Sequence, residues 1–115
     1  MNERSVGPTG DLMVNKALHF IWNNSYSGIN AIEVADYIGV TARTLERHFK
    51  DSYERSVASE IIHYRLFRAE KMLKDPSLLV KYIAYMCGFT DVRNMIRAFH
   101  QAHGMSPIQY RLKVA

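Results

Sequence analysis

Two pairs of arginines carry the most specific chemistry that this sequence suggests. Arg43 and Arg47 form one pair, and Arg93 and Arg97 form the other. Residues four apart share one face of a helix, and a guanidinium can donate two parallel hydrogen bonds to guanine in the major groove. Asn94 lies between the second pair, and its amide can pair in the same way with adenine. The pattern indicates two base-reading surfaces, and exposed helices with solvated arginines are the plainer alternative.

The two arginine pairs lie in stretches that repeat the same spacing of small and apolar residues. The residues Ala35, Gly39, Leu45, Phe49 and Ser56 recur as Ala84, Gly88, Met95, Phe99 and Ser106, with one residue added after the second glycine. Each copy predicts a helix, a tight glycine turn and a second helix, which is a helix-turn-helix. The paired apolar residues would pack the second helix on the core and leave its arginine face outside. Two copies in step favour this motif over an ordinary helical hairpin.

The segments around these copies are also predicted to be helices, because no segment of useful length alternates apolar and polar residues with period two. We predict an all-α chain of about seven helices, with Asp11 and Thr41 as N-caps. The longest helix should run from about Val57 to Lys74, with its apolar stripe at Ile62, Leu66, Ala69, Met72 and Leu73. The predicted division is a flexible arm or expression remnant (1–10), a first subdomain (11–58), a linker helix (59–75) and a second subdomain (76–115).

The sequence gives little support for a catalytic site or a metal site. Glu60 and His63 have the Glu-x-x-His spacing of di-iron bundles, but such sites need two of these motifs. His100 and His103 have no cysteine or acid near them in sequence to complete a metal site. Cys87 stands on an apolar face, where a small buried side chain fits better than a nucleophile. We therefore predict no enzyme activity, no metal and no cofactor.

Three segments resemble the AraC/XylS-type transcription regulators. They are the linker segment Arg65–Leu73, the turn Cys87–Asp91 with Arg97-Ala98-Phe99, and the C-terminal run Gly104–Arg111. The resemblance covers roughly residues 12–113. It implies two homeodomain-like helix-turn-helix subdomains joined by one long helix, which would read two successive major-groove segments of double-stranded DNA about one helical turn apart.

The resemblance also carries a set of DNA-contacting positions onto this sequence. Glu46 repels phosphate but can accept from a cytosine amino group. Glu54 and Val57 depart from the family's usual glycine and proline, and Met95 and Ile96 from its usual aromatic and polar residues. The predicted base-reading residues are Arg43, Thr44, Glu46, Arg47, Arg93, Asn94 and Arg97, and the predicted phosphate contacts are Thr41, Thr90 and Arg111.

The composition of the sequence indicates its cellular location and the kind of partner it binds. The 115 residues carry a formal charge of +4, and the stretch 92–115 has four Lys or Arg and no acid, which favours a polyanionic partner. The longest apolar run, Tyr82 to Cys87, is too short to span a bilayer. With one cysteine and no signal-peptide pattern, we expect a cytoplasmic protein without a membrane partner, and the family resemblance implies a bacterial one. RNA polymerase is a further expected partner, and the chain should be a monomer unless a missing domain dimerises.

A helical protein-interaction module with weak or non-specific DNA binding is the alternative function. Its binding surface would come from aromatic residues, most of which we expect to be in the core or half-buried. The residues concerned are Trp22, Tyr26, Tyr37, Tyr64, Tyr82 and Tyr85. Sequence-specific DNA binding with a salt dependence separates the two functions.

Overall fold

Seven α-helices follow one another within residues 8–115, as the sequence predicts. The computed structural model describes residues 8–115, and within that range every regular element is helical. Of the predicted arm 1–10, residues 1–7 lie outside the described residues. The helices are α1 (Leu12–Asn24), α2 (Ala31–Ile38), α3 (Ala42–Ser52), α4 (Val57–Leu73), α5 (Val80–Met86), α6 (Val92–His103) and α7 (Pro107–Val114).

Side-chain caps fix where these helices begin. The Asp11 carboxylate accepts from the amides of Met13 and Val14 at 2.9 and 3.2 Å, and this confirms Asp11 as an N-cap. Thr41 accepts from the amide of Thr44 at 3.1 Å, which confirms the second predicted cap. A capping box between Asn30 and Glu33 begins α2, and a second one begins α7. The helix boundaries therefore follow local chemistry that the sequence displays.

The helices form two compact units, each with its own core. One unit comprises the described residues up to Asn24 together with Ile29–Ile61, and the other comprises Ser25–Gly28 together with Ile62–Ala115. The first core is built from Val14, Ala17, Leu18, Ile21, Val34, Ala35, Leu45, Phe49, Val57 and Ile61. The second is built from Leu66, Ala69, Leu73, Ile83, Ala84, Cys87, Phe89, Met95, Ala98 and Phe99. The predicted domain boundaries stay a prediction.

Equivalent residues of the repeat occupy equivalent places in the two cores. Ala35 and Ala84 are both buried on the first helix of each motif, α2 and α5. Leu45 with Phe49, and Met95 with Phe99, are buried on the second helices, α3 and α6. This burial holds one face of α3 and α6 against the core and leaves the opposite face exposed. The repeat in the sequence is therefore a repeat of two helix-turn-helix motifs.

The apolar stripe predicted for the long helix is wrong at Ile62. Ile62 is 40% exposed, whereas its neighbour Ile61 is 3% exposed and belongs to the first core. The stripe of the second core begins only at Leu66. Leu66 lies five positions after Ile61, which is not a same-face spacing on a helix. The prediction fails because it assigned one continuous stripe to a helix that contributes to two cores.

A short segment between α1 and α2 belongs by its contacts to the second unit. Ser25–Ser27 forms a 3-10 helix that the sequence analysis did not predict. The Arg65 Nε group donates to the Ser25 carbonyl at 2.6 Å, and the Arg68 guanidinium lies 4.7 Å from the centre of the Tyr26 ring. We refer to Ser25–Gly28 as the crossing loop. It is the part of the N-terminal half that completes the second unit.

Candidate nucleic-acid interface

The first arginine pair lies on the outer face of α3 with its charged ends exposed. Arg43 and Arg47 are exposed, and neither has a hydrogen-bond or ion-pair partner among residues 8–115. Thr41 caps the helix beside them, and its hydroxyl donates to the Thr44 hydroxyl at 3.0 Å. First-turn amides and two guanidinium groups that lack a partner within residues 8–115 make this face suited to bind phosphate oxygens and base edges.

Glu46 has a structural partner that the sequence analysis did not foresee. Its carboxylate accepts from the backbone amide of Val57 at 3.3 Å and so caps the start of α4. The two residues are eleven apart, beyond the range of helical spacing rules. A base-reading role for Glu46 stays a prediction, and one of its oxygens is already engaged by α4.

The start of α6 is organised by a carboxylate rather than by a threonine hydroxyl. Asp91 is the N-cap and accepts from the Asn94 amide at 3.1 Å, while Arg93 donates to its other oxygen at 3.2 Å. The Asn94 amide, followed by the Arg93 guanidinium, holds the pKa of Asp91 below its ordinary value. With the one-residue insertion counted, Asp91 stands where Thr41 stands in the first motif. Asp91 was not among the residues predicted from the sequence, although an aspartate three residues before Asn94 is a recognisable cap.

The predicted DNA-contacting side chains of α6 are joined to one another. The Asn94 side-chain amide donates to the Thr90 hydroxyl at 3.1 Å, and its oxygen accepts from Arg97 at 2.7 Å. Arg97 is exposed, whereas Asn94 is half-buried behind it. The structure therefore brings Thr90, Asn94 and Arg97 together as one row along the helix.

A cavity of about 240 Å³ adjoins this row within the second unit. Ile62 and Arg65 of α4 form one wall, and Asn94, Arg97 and Gln101 of α6 form another. None of its lining residues is acidic. Gln101 extends the polar row by one turn beyond Arg97 and was not assigned from the sequence.

Arg111 already makes three structural hydrogen bonds. Its Nε donates to the Leu73 carbonyl at 3.0 Å, and one terminal nitrogen donates to the carbonyls of Asp75 and Leu78 at 3.2 and 2.6 Å. The guanidinium thus satisfies carbonyls at and just after the end of α4. The predicted phosphate contact of Arg111 stays a prediction that would fall to its other terminal nitrogen.

The residues considered for catalysis or metal binding have other surroundings. Glu60 is buried and accepts from the Trp22 indole and the Arg55 guanidinium at 2.7 and 3.0 Å, while His63 is exposed. Burial raises the pKa of the Cys87 thiol to about 11, so it stays protonated at neutral pH. Among the described residues, no three His, Cys, Asp or Glu side chains are grouped so as to hold a metal ion.

The other sequence predictions concern His103, the aromatic residues and membrane-spanning helices. His103 lies 2.6 Å from a Glu70 carboxylate oxygen, an acid that its sequence neighbourhood did not reveal. The expectation that most of the six aromatic residues are buried or half-buried is wrong, because four tyrosines on short helices and on the crossing loop are exposed: Tyr26, Tyr37, Tyr82 and Tyr85. In the described part of the chain, no helix has the length and apolarity needed to cross a membrane.

Similar proteins share both the sequence pattern and this fold. The xylose operon regulatory protein of Escherichia coli (strain K12) is 29% identical over 101 residues, which cover 88% of this chain and 26% of that protein. The C-terminal domain of AraT, a response regulator from Geobacillus stearothermophilus, is 27% identical with a TM-score of 0.82 over 90% of this chain and 86% of that one. The chain spans about a quarter of the length of the first curated relatives that it matches.

A further solved structure shares the fold at lower identity. The DNA-binding domain of the global transcriptional factor AdpA, in complex with a target DNA, is 20% identical with a TM-score of 0.79 over 87% of this chain and 90% of that one. The family model described as a helix-turn-helix domain matches residues 34–113, from α2 into the last helix. This match covers more than half of the chain, and its two motifs stand as the spacing predicts, so the chain belongs to the AraC-type helix-turn-helix family.

Proposed function

We propose that this chain binds double-stranded DNA sequence-specifically and thereby regulates transcription. The single observation that carries the proposal is the exposed arginine pair on the second helix of each helix-turn-helix motif. In such motifs the second helix enters the major groove, where arginine is the side chain best shaped to read guanine. The proposal includes no catalysis, no cofactor and no membrane partner, and it places the protein in the cytoplasm.

The proposed contacts divide between base reading and phosphate binding. Arg43, Arg47 and Arg97 are the principal base readers, because each exposes a guanidinium with no carboxylate partner within residues 8–115. Arg93 shares its charge with Asp91, so its contribution is smaller. The first turns of α3 and α6, beside Thr41 and Thr90, supply amides to phosphate oxygens. Thr44, Glu46 and Arg111 complete the proposed contact set, and Asn94 belongs to it through its hydrogen bond with Arg97.

Each motif would occupy its own segment of the major groove, and the two segments would be successive on one side of the duplex. The family's architecture and the repeat of α2–α3 in α5–α6 support this arrangement. We further propose RNA polymerase as a partner in activation or repression. The chain itself would bind as a monomer, with dimerisation left to any additional domain.

Selection from a randomised duplex library, followed by sequencing of the bound pool, tests the proposal. We expect two short boxes about one helical turn, roughly 34 Å, apart. One box would restrict base reading to a single motif. No enrichment by the folded protein would overturn the proposal and favour the protein-interaction function.

Alanine variants of single arginines show which DNA box each helix-turn-helix motif reads. Arg97→Ala should lower affinity for the selected site by about 1–3 kcal/mol and relax preference at one base pair of one box, and Arg47→Ala should do the same in the other box. Lys81→Ala is the matched control. It removes one positive charge from the exposed side of α5 and leaves the arginines of α3 and α6 in place. Fluorescence anisotropy on single-base-pair variants of the selected site measures both effects. If Arg97→Ala binds every site variant as wild type does, the assignment of Arg97 is wrong.

A further inference from the structure

We infer that Asn94 is a positioning residue for Arg97, and that Thr90 holds Asn94 in place, so that neither reads a base directly. This inference rests on the proposed function and deepens it, because it assigns guanine recognition in the second motif to one pre-oriented guanidinium. The sequence had suggested a different role for Asn94, as an adenine reader.

The hydrogen bonds of Asn94 run along the helix rather than out toward a partner. Its backbone amide donates to Asp91, its side-chain nitrogen donates to Thr90, and its side-chain oxygen accepts from Arg97 at 2.7 Å. A bidentate contact to adenine needs the amide plane to follow the edge of the base. Here Thr90 and Arg97 fix that plane from opposite ends, four residues before Asn94 and three after it. The amide orientation is therefore set within the protein.

The exposure of the two side chains also favours Arg97 over Asn94 as the residue that reads the base. Asn94 is half-buried, whereas Arg97 is exposed. The longer side chain thus extends past the shorter one and is the first of the two that a base edge would meet. Because its partner is a neutral amide, the Arg97 guanidinium keeps its full charge for guanine. Arg93 differs, since it is paired with the Asp91 carboxylate at 3.2 Å.

The first motif lacks the corresponding bond, which gives an internal comparison. Thr44 occupies the position of Asn94, and its hydroxyl is engaged by Thr41. Arg47 occupies the position of Arg97 and has no hydrogen-bond partner among the described residues. A long side chain that is already held loses less conformational freedom on binding. We therefore expect the box read by α6 to be the more stringent of the two.

The test maps base preference with wild type, Asn94→Ala, Arg97→Ala and the double variant on every single-base-pair variant of the selected site. We expect Asn94→Ala to lose about three- to tenfold of the discrimination at the same base pair that Arg97→Ala affects. In the double variant, Asn94→Ala should add almost nothing at that base pair, because its effect passes through Arg97. Thr90→Val should act in the same direction, and Thr90→Ser, which keeps the hydroxyl, should restore the wild-type preference.

Lys81→Ala is the control, since Lys81 is exposed on α5 and lies outside the proposed contact set. It should leave the preference at the Arg97 base pair unchanged. Circular dichroism and melting temperature establish that each variant is folded. Loss of discrimination at a different base pair, additive with Arg97→Ala, would overturn the inference and make Asn94 a direct reader. Absence of any base preference in wild type would instead overturn the proposed function, and the inference with it.

Discussion

Asp11 shows how one carboxylate links helices that are distant in sequence. One oxygen caps α1, and the other lies 2.6 Å from His48 Nδ1 on α3, the helix that carries the first arginine pair. The hydrogen bond from His48 is the largest of the effects that hold the pKa of Asp11 below its ordinary value of 3.8. Asp11 therefore fixes the start of α1 and an edge of the first interface helix together.

Two substitutions at Asp11 separate its roles. Asp11→Ala should destabilise the protein by about 1 kcal/mol or more at pH 7, because the cap and the His48 contact are both lost. Asp11→Asn keeps a capping oxygen and should cost less. Since folding lowers the pKa of Asp11, its charge-dependent stability is present above the ordinary pKa and is lost as the pH falls through the lowered value.

Thermal unfolding as a function of pH measures this difference. The melting temperatures of wild type and Asp11→Asn should differ above the ordinary pKa of 3.8 and converge as the pH falls through the lowered pKa of Asp11. A difference that persists undiminished at low pH would show that the charge of Asp11 is not its source.

The placement of a residue was predictable where it depends on local spacing and not where it depends on distant partners. The exposure of Arg43 and Arg47 on one face of α3 followed from helical periodicity and from the cap at Thr41, two residues before Arg43. Arg111 could not be read in this way, because the Leu73 carbonyl it binds is 38 positions earlier. Glu46 and Val57 show the same limit at a separation of 11.

At the scale of elements, two glycines with the same backbone angle have different surroundings. Gly39 has φ +92° and Gly88 has φ +91°, so both adopt the left-handed conformation that ends the first helix of each motif. A Cβ on Gly39 would meet nothing within 4 Å. A Cβ on Gly88 would lie 2.5 Å from the Ser25 carbonyl oxygen and 2.8 Å from the Tyr26 backbone. Gly88 is thus required both for its conformation and for the close approach of the crossing loop.

The paired substitutions Gly39→Ala and Gly88→Ala separate strain from close approach. Gly39→Ala should cost about 1–2 kcal/mol, the cost of a left-handed alanine. Gly88→Ala should cost roughly 2 kcal/mol more, because backbone atoms of the crossing loop must shift as well. Chemical denaturation of both variants beside wild type gives the comparison. Equal losses would show that the crossing loop yields without resistance.

The same elements show what the sequence predicts about the fold. Caps at Asp11 and Thr41 and the left-handed glycines are local signals, so the starts of α1 and α3 and the ends of α2 and α5 were predictable. The 3-10 helix at Ser25–Ser27 and the exposure of Ile62 were not, because both depend on which core a segment joins. That choice is made by contacts far apart in sequence.

Across the whole molecule, charge is divided unevenly between the two units. The unit that contains α5, α6 and α7 has nine Lys or Arg against three Asp or Glu, whereas the described residues of the other unit have five against seven. A polyanion is therefore attracted chiefly to the former. Each phosphate that such a surface neutralises changes the slope of log K against log salt by about −0.9.

Half-site duplexes test this asymmetry. Scrambling the box assigned to Arg97 should weaken binding more than scrambling the box assigned to Arg47, and the affinity that survives on the Arg97 box should fall more steeply between about 50 and 200 mM salt. Anisotropy titrations at several salt concentrations measure both slopes. Equal losses and equal slopes would show that the net charge of each unit does not govern its contribution.

The crossing loop also has a consequence for hybrid regulators. Because Arg65, Arg68 and Gly88 all contact it, the second unit is assembled from two separate stretches of chain. A chimaera that joins this N-terminal half to the C-terminal half of a relative, with the crossover in α4, would place this loop against a foreign glycine turn. A functional exchange of target specificity must therefore transplant Ser25–Gly28 with the C-terminal half, as two inserts rather than one.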